Sequence, residues 1–333
     1  MYQANEHRYD KMLYRNLGKS GLKVSAIALG LWHNFGNTTP LTNQKEIVFD
    51  AFDRGITYFD LANNYGPEPG SAEKNFGKIL HDDLSAYRDE MVISSKAGYT
   101  MWPGPYGDWG SKKYITASID QSLKRVGVDY FDIFYHHRPD PNTPIEETAQ
   151  ALDLLVRQGK ALYIGISNYR AEQTREIAEI FEDLGTPFIV HQPRYNMFDR
   201  WIEDGLTDVL AEKEVGAVVF SPLAQGRLTD RYLNGIPKDS RANRSDSPFL
   251  NVERVEQATA IAKQLNEIAK TRGQSLAQMA LAWNLRQPVV SSVIIGASRT
   301  QQLEDNIKAL DNLDFSDAEL KQFDTILDGV EFK

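Results

Sequence analysis

The stretch ITYFDLANNYG, residues 56–66, joins a short apolar run to Asp60 and places Tyr65 in the loop that follows. Two later runs have the same form: MVISSK at residues 91–96 ends in Lys96, and FDIFYHH at residues 131–137 ends in His137. In a parallel barrel the loops that follow the strands converge on one pocket, so titratable side chains at successive strand ends are typical of a catalytic site. The three runs therefore predict a barrel with reactive groups at one end.

Composition sets broad limits on the protein. The chain has 333 residues, which suits one large barrel domain spanning residues 1–333. With 37 Lys and Arg against 46 Asp and Glu, the net charge of -9 disfavours nucleic-acid binding. The absence of cysteine excludes disulfides, thiol nucleophiles and cysteine-ligated zinc. No run reaches the roughly 18 apolar residues of a membrane span, and MYQANEHRYDK at the N-terminus lacks an apolar signal core, so we expect a cytoplasmic protein.

Short β-rich runs alternate with longer segments of helical period, as in repeated βαβ units around a parallel sheet. Eight such runs are enough to close a barrel, which predicts an α/β fold of the (β/α)8 TIM-barrel type. The predicted strands are residues 24–31, 56–60, 91–95, 131–136, 161–166, 188–192, 216–221 and 291–295. The predicted helices include residues 43–54, 114–126, 145–158, 171–184, 252–272 and 275–286.

Three segments lie outside this repeating pattern. Residues 14–25, YRNLGKSGLKVS, predict an N-terminal hairpin that turns between Gly18 and Gly21. Residues 316–328 predict a C-terminal helix, and both segments are expected to plug or cover the barrel. The polar residues 226–251 form a long loop after the seventh strand, and loops of this length in compact domains are usually functional or disordered.

Seven motifs, in order along nearly the whole chain, resemble those of the aldo-keto reductases. They are DLANNYG (60–66), SSKAGY (94–99), DIFYHHRPD (132–140), GISNY (165–169), HQPRYN (191–196), FSPLAQGRL (220–228) and IIGASRTQQLEDN (294–306). The chain is most similar to the branch that includes the potassium-channel β subunits and bacterial enzymes. The resemblance implies a nicotinamide-dependent reductase whose catalytic tetrad is Asp60, Tyr65, Lys96 and His137.

These four residue types suit the reduction of a carbonyl group. A tyrosine with its usual pKa is a reluctant proton donor at neutral pH, and the nearby cation Lys96 would make Tyr65 a better acid. Asp60 would hold the ammonium through a charge-assisted hydrogen bond, and neutral His137 would orient the carbonyl oxygen. Taken singly, Asp60 fits a helix cap, Tyr65 a packing residue and Lys96 an exposed lysine, but the combination favours catalysis.

His136 and His137 are adjacent, and such a pair can suggest a metal site. Adjacent residues of a strand face opposite sides, and no cysteine or His-x-x-x-His motif joins the pair, so we expect no metal. The family motif has its histidine two residues before the proline. This selects His137 for the site and leaves His136 as a structural residue.

The cofactor prediction does not depend on a Rossmann fingerprint, because no G-x-G-x-x-G follows a predicted strand. A barrel can bind phosphates at the loops after its seventh and eighth strands, against a helix N-terminus. The resemblance implies NADPH with its 2'-phosphate on Ser298 and Arg299, although Arg299 can also be a merely solvated arginine. We interpret residues 226–251 as a flap over this cofactor. The implied cofactor-binding residues are Trp32, Asp60, Ser167, Asn168, Gln192, Phe220, Ser221, Pro222, Leu223, Gln225, Gly226, Gly296, Ser298, Arg299, Gln302, Asp305 and Asn306.

Aromatic residues in Gly- and Pro-rich loops predict the wall of a substrate pocket, since such loops cannot be helix core. The predicted substrate residues are Trp32, Tyr65, Tyr99, Trp102, Trp109, His137 and Arg138, with His33 nearby. The implied substrates are small aldehydes, such as a phosphorylated three-carbon aldehyde or methylglyoxal. Arg138 can pair a substrate phosphate, bind the cofactor or pair with Asp140, and the sequence leaves these alternatives open.

Three functions are compatible with this site. The first is an NADPH-dependent aldehyde reductase. The second is a cofactor-sensing binding subunit resembling the channel β subunits; those proteins carry Asn where His137 stands, which favours the enzyme. The third is an aldolase or other lyase with Lys96 as a Schiff-base amine, but Asp60 would keep that amine protonated. By analogy with the family, the chain can also form a homo-oligomer.

Overall fold

Eight parallel strands close into one barrel, as the sequence predicts. The structure is a computed structural model that describes residues 2–238, 241–243 and 250–330. The barrel strands follow one another around the barrel in chain order, and the last pairs with the first. They are β3 (Ile27–Gly30), β4 (Tyr58–Asp60), β5 (Val92–Ala97), β6 (Phe131–His136), β7 (Ala161–Ser167), β8 (Phe188–Gln192), β9 (Gly216–Phe220) and β10 (Val290–Ile295).

Helices cover the outside of the barrel. The predicted helices are confirmed, with bounds that differ by no more than about two residues, as helix ends usually do. The helices are α1 (Leu41–Asp53), α2 (Ser71–Ile79), α3 (Lys112–Val126), α4 (Ile145–Arg157), α5 (Ala171–Leu184), α6 (Leu206–Glu212), α7 (Val252–Thr271), α8 (Leu276–Leu285), α9 (Thr300–Ile307) and α10 (Asp317–Leu327). Side-chain caps explain several of their starts: Ser111, Ser275 and Ser316 accept backbone N–H bonds in the first turn.

The prediction of a single strand at residues 24–31 is wrong. Residues 24–31 hold the end of a hairpin strand, β2 (Lys23–Ser25), and the start of the barrel at β3. The change of partner occurs at Ala26, whose N–H donates to the carbonyl of Leu13, while the Ser25 hydroxyl donates to the carbonyl of Ile27 over 2.7 Å. Because the apolar run is continuous across this change, its pattern shows no boundary.

The N-terminal hairpin closes the end of the barrel at which the strands begin. Its strands β1 (Tyr14–Asn16) and β2 pair antiparallel, which confirms the predicted hairpin. Leu17 and Val24 are fully buried and belong to the same apolar cluster as the interior residue Val218. The C-terminal helix α10 is a cover, because it packs against α7 and buries Phe323.

The period of two along each strand decides which side chains meet at the other end. Asp60 lies beside Ser94 in the register of β4 and β5, and Lys96 lies beside Tyr135 in the register of β5 and β6. Inward-facing Tyr58 and Tyr135 belong to the interior cluster. The tetrad residues therefore stand on the top layer of a packed core.

The predicted flap at residues 226–251 lies partly outside the described residues, which omit 239–240 and 244–249. Its described part contains short helical turns at Asp230–Tyr232 and Arg241–Asn243. Tyr232, Ala242 and Leu250 form a small buried cluster with Val255 of α7. No helix among the described residues has both the length and the apolar character to cross a membrane.

Candidate active site

Lys96 is the centre of the group of polar side chains at the strand ends. Its side chain is fully buried, and its ammonium donates to Asp60 Oδ2 over 2.6 Å, to the Leu61 carbonyl over 2.7 Å and to the Tyr65 hydroxyl over 3.4 Å. An ammonium has three N–H donors, so these three acceptors satisfy it completely. These contacts hold the Lys96 nitrogen in one position.

Asp60, like Lys96, is buried and bonded to several neighbours. It is 2% exposed, and its Oδ1 accepts from the Ser94 hydroxyl over 2.8 Å and from Gln192 Nε2 over 3.0 Å. With the Lys96 ion pair on Oδ2, both carboxylate oxygens are occupied. Burial lowers the pKa of Lys96, and the nearby negative charges of Asp60 and Glu73 oppose that change. A buried ion pair needs such additional hydrogen bonds to be stable.

Tyr65 presents a protonated phenol. Burial, reinforced by the charge of Asp60, raises the pKa of Tyr65 well above its usual value. The Lys96 ammonium lies 3.4 Å from the phenol oxygen, and its effect on the acidity of Tyr65 stays a prediction. Because that oxygen accepts from Lys96, the hydroxyl hydrogen of Tyr65 can be donated to another molecule.

His137 enters the site as a neutral imidazole. It is 7% exposed, and burial together with the cation of Lys96 lowers the pKa of His137 well below its usual value. Its ring lies 5.8 Å from that of Tyr65 and 4.7 Å from that of Tyr99, measured between centroids. Its Nδ1 is buried without a hydrogen-bond partner among the described residues. The tautomer with hydrogen on Nε2 avoids a buried unpaired donor at Nδ1.

His136 lies on the other face of β6, as predicted. Its Nδ1 is 2.6 Å from the Tyr169 hydroxyl, and its Nε2 is 3.4 Å from the Trp109 carbonyl. Burial lowers the pKa of His136 to about 4, so this imidazole is neutral as well. It packs behind the site, against Tyr169.

Arg138 is clamped between two of the predicted wall residues. Its guanidinium carbon lies 4.3 Å from the Tyr99 ring centroid and 3.7 Å from that of Trp109. Its Nε donates to the Gly98 carbonyl over 2.7 Å, and one terminal nitrogen donates to Asp108 over 2.8 Å. Trp109 adopts a left-handed backbone with φ 69°, which is unusual for a bulky residue and indicates a conformation that the surroundings enforce.

The interpretation that Arg138 pairs with Asp140 is wrong. Asp140 instead accepts from the Thr143 hydroxyl and the Gly110 N–H over 2.6 and 3.0 Å. Asp108 takes its place because the loop after β5 folds back across the site. The sequence spacing of Arg138 and Asp140 favours a local pair and gives no sign of this long-range partner.

The remaining wall residues come from two loops. Trp32 stacks on His33 at 3.7 Å between ring centroids and lies 6.1 Å from the Tyr65 ring. Trp102 packs on Tyr114 at 5.3 Å, and the Tyr114 hydroxyl donates to the Tyr99 carbonyl. Ring contacts thus bring Trp32 to Tyr65 and Tyr99 to His137, whereas Trp102 contacts Tyr114.

A second polar cluster adjoins the tetrad at the ends of β7 and β8. The Ser167 hydroxyl donates to the Gln192 carbonyl over 2.7 Å, and Asn168 Nδ2 donates to Ser167 Oγ and to the His137 carbonyl over 3.0 and 3.1 Å. Gln192 Nε2 donates to Asp60 Oδ1 over 3.0 Å, which joins this cluster to the tetrad. This cluster fits the carboxamide of a nicotinamide, which offers both a donor and an acceptor.

The loop after β9 contains several residues with left-handed backbone. Ser221, Ala224 and Gln225 all have positive φ, at 54°, 48° and 59°, and Gly226 follows with φ 93°. The N–H groups of Ala224, Gly226, Arg227 and Leu228 donate to carbonyls within the loop, so the left-handed residues close a tight turn. This loop also includes Pro222 and Leu223 and begins directly after Phe220. Its assignment to the pyrophosphate stays a prediction from the family resemblance.

The loop after β10 leads into the N-terminus of α9. Gly296, Ser298 and Arg299 are exposed there, and a side-chain atom at Gly296 would meet no neighbour within 4 Å. Gln302 caps this loop from within α9, accepting from the Ser298 N–H over 2.8 Å and from its hydroxyl over 3.1 Å. Asp305 and Asn306 lie one turn further along α9. An open helix start with a cation suits a phosphate group.

Comparison with known proteins decides the family. The model of the Aldo/keto reductase family matches residues 26–328. The chain belongs to the aldo/keto reductase family. L-glyceraldehyde 3-phosphate reductase of Escherichia coli strain K12 is 55% identical over 334 residues, covering 99% of this chain and 96% of that protein.

Two potassium-channel relatives extend the comparison. A probable voltage-gated potassium channel subunit beta of Arabidopsis thaliana is 40% identical over 307 residues, covering 90% of this chain and 92% of that protein. A putative subunit of the same kind from Schizosaccharomyces pombe is 37% identical over 340 residues, covering 98% and 97%. As a member of the aldo/keto reductase family this protein is an oxidoreductase, and the family generally uses nicotinamide dinucleotides.

Several residues of the candidate site are absent from the sequence prediction. Asp108 fixes Arg138, and the buried pair Tyr58 and Tyr135 lies beneath the tetrad with hydroxyl oxygens 2.6 Å apart. The tyrosines could have been found from strand period, because Tyr58 is two residues from Asp60 and Tyr135 two residues from His137. No sequence signal indicates Asp108, since its loop has no period.

Proposed function

We propose that this protein reduces small aldehydes to alcohols with NADPH, that Tyr65 is the proton donor, and that L-glyceraldehyde 3-phosphate is a substrate. The observation that carries the proposal is the buried, fully bonded Asp60–Lys96 pair, which directs an ammonium at the oxygen of a protonated tyrosine. Methylglyoxal is the second candidate substrate. All three statements go beyond the family membership and need their own tests.

The tetrad residues divide the work of carbonyl reduction. When bound, the nicotinamide supplies a hydride to the carbonyl carbon. Tyr65 donates its proton to the carbonyl oxygen as negative charge develops there, and the Lys96 ammonium stabilises the tyrosinate that remains. Asp60 keeps Lys96 protonated and aimed. His137 contributes an N–H to the same oxygen and holds it against the phenol.

The preference for NADPH is supported by the open start of α9. Ser298 and Arg299 are exposed there, beside a loop that Asn34 Nδ2 holds by donating to the Ala297 carbonyl over 2.8 Å. Arg299 forms no ion pair with the described residues, so its guanidinium is available to a 2'-phosphate. NADH has no group at this position.

The proposed phosphorylated substrate is supported by the name of the E. coli relative and by Arg138. The guanidinium is clamped by Tyr99 and Trp109 and is 23% exposed, so an anion from solution can reach it while it stays in position. A rigid guanidinium loses little side-chain entropy when it binds an anion. The Asp108 charge weakens its net attraction, which limits the expected preference for phosphorylated aldehydes.

An NADPH-oxidation screen over short aldehydes tests the proposal directly. The panel should include both enantiomers of glyceraldehyde 3-phosphate, glyceraldehyde and methylglyoxal. We expect turnover with the L enantiomer of the phosphorylated aldehyde to exceed that with the D enantiomer. Turnover of no aldehyde, with NADPH bound tightly, would support the alternative of a cofactor-sensing subunit.

The other two functions have less support. The channel relatives make a cofactor-sensing subunit conceivable, but His137 supplies the oxygen-orienting group that the sequence pattern of those proteins lacks. A Schiff-base lyase requires a free amine, whereas Lys96 donates all three of its hydrogens and is 2.6 Å from Asp60. Absence of a borohydride-trapped adduct with aldehyde substrates would agree with the reductase.

A further inference from the structure

We propose that Tyr135 is a positioning residue for the reaction and that its ring supports the Lys96 ammonium from within the barrel. The inference rests on the proposed function, because that function gives the Lys96 cation its role in proton transfer. Tyr135 itself does not reach the substrate mouth. It acts through Lys96, as part of the floor beneath the tetrad.

The ammonium lies over the faces of two tyrosine rings. Lys96 Nζ is 4.8 Å from the ring centroid of Tyr65 and 5.7 Å from that of Tyr135. Lys96 and Tyr135 are register partners on β5 and β6, so the closeness follows from strand pairing. Cation–π attraction operates within about 6 Å and is strongest where water is excluded. Both residues are fully buried.

The Tyr135 ring is fixed on two sides. Its hydroxyl oxygen lies 2.6 Å from that of Tyr58, in a buried hydrogen bond. On the next strand, Gly165 pairs with Tyr135, and a side-chain atom at Gly165 would lie 2.4 Å from two ring carbons. The ring therefore occupies the space that a glycine leaves open on β7. A ring held in this way can act as a fixed support for the cation.

The groups that face Lys96 come from several elements. Asp60 and Tyr65 approach from β4 and its loop, Tyr135 and His137 from β6, and Glu73 contributes its charge from α2. Burial lowers the pKa of Lys96, while the carboxylates oppose this change.

The Tyr135 ring adds attraction for the cation without adding a formal charge. Burial raises the pKa of Tyr135 well above its usual value, so the phenol stays neutral. Removing its ring makes the ammonium form less stable, so Lys96 loses its proton at a lower pH. Because the proposed reaction needs the ammonium, the alkaline limit of activity should move down with it.

The test compares pH profiles of kcat for three variants. Tyr135→Met removes the aromatic face and keeps similar bulk, and we expect the alkaline limb to move down by about half to one pH unit. Tyr135→Phe keeps the ring, and Tyr58→Phe removes the same hydrogen bond from the other side. Both should leave the limb unchanged. The proposal fails if Tyr135→Met also leaves the alkaline limb unchanged. It fails too if Tyr135→Phe moves the limb as far as Tyr135→Met does.

A matched control separates the cation effect from lost packing. Ile133 lies two residues from Tyr135 on β6 and belongs to the same interior cluster, but it has no contact with Lys96 among those described. Ile133→Ala should lower the melting temperature through its cavity and leave the alkaline limb in place. If the alkaline limb moves down together with the melting temperature in both Tyr135→Met and Ile133→Ala, the role of Tyr135 is merely structural.

Two further measurements keep the outcome decisive. Replacing Tyr135 by trifluorophenylalanine, with Tyr135→Phe as the reference, keeps the shape of the ring and weakens the negative potential of its face. This variant tests the proposal even if Tyr135→Met does not fold. NMR titration of lysine labelled with carbon-13 at Cε, with the Lys96 signal assigned by its loss in Lys96→Met, reads the Lys96 pKa without turnover. A protein that reduces no aldehyde overturns the proposed function, whereas an unchanged Lys96 pKa in the fluorinated protein overturns the role of Tyr135.

Discussion

The tetrad and the start of α9 are both parts of the proposed site, but they are built in opposite ways. Asp60 and Lys96 are almost completely buried, stand on barrel strands and bond to each other and to their neighbours. Ser298 and Arg299 are exposed on a loop. Proton transfer requires fixed distances and exclusion of water, whereas capture of a phosphate requires a cation that solution can reach. The comparison teaches that changes at the first region should affect turnover and changes at the second should affect cofactor affinity.

The largest effect is expected at the buried end. Lys96→Met should lower kcat by a factor of about 100 or more, because the tyrosinate that forms in the reaction loses its cation. Asp60→Asn should be somewhat less severe, since Lys96 keeps two of its three acceptors. Steady-state kinetics with NADPH and a short aldehyde measures both effects. A Lys96→Met enzyme with nearly normal kcat would place the chemistry elsewhere.

The exposed end should show the reverse pattern. Arg299→Ala should raise KM for NADPH by about 10- to 100-fold, because charge-assisted hydrogen bonds contribute roughly 1.5 to 3 kcal/mol. KM for NADH and kcat with either cofactor should change little. An equal rise in KM for both cofactors would mean that Arg299 does not contact the 2'-phosphate.

Arg138 lies between these extremes, since it is half-buried but faces the mouth. Arg138→Ala should lower kcat/KM for the phosphorylated three-carbon aldehyde about tenfold more than for glyceraldehyde. The net charge of -9 opposes anionic substrates at long range, so any preference must come from this local contact and should shrink with added salt. Equal turnover of both aldehydes by the parent enzyme at low salt would remove the phosphate hypothesis.

The smallest expected effect is the absence of a histidine limb in the pH profile. The pKa of His137 lies well below its usual value. The imidazole is therefore already neutral at about pH 6.5, where an ordinary histidine titrates. Lowering the pH through that region should not reduce kcat. An inflection near 6.5 that disappears in His137→Asn would show that His137 is protonated in the working range.

The repeating part of this fold could be predicted well from sequence. Apolar runs such as residues 131–136 coincide with strands, because a strand buried on both faces has no competing pattern. The prediction of one strand at residues 24–31 was wrong for the same reason. The apolar run continues unchanged while the chain leaves the hairpin at Ala26 and joins the barrel. A change of partner leaves no mark on hydrophobicity alone.

The site was predictable only where a side chain ends a strand. Asp60, Lys96 and His137 follow this rule, and the resemblance to the family gave Tyr65 its role in the tetrad. Asp108 does not follow it, because the contact with Arg138 depends on how the loop after β5 folds. The rise in the pKa of Tyr65 could not be predicted either. It is caused mainly by burial, and the position of Tyr65 in a loop of the sequence does not show how deeply its side chain is buried.

The central claim is that Tyr65 gives the proton, while Lys96, Asp60 and His137 position the reacting groups and stabilise the charge that develops. Tyr65→Phe tests this most directly, measured as single-turnover reduction of a short aldehyde alongside NADPH binding by fluorescence titration. We expect the reduction rate to fall by a factor of about 100 or more while Kd for NADPH stays within about threefold. A reduction rate within about threefold of the parent would contradict the account, because the phenol hydroxyl would then be dispensable.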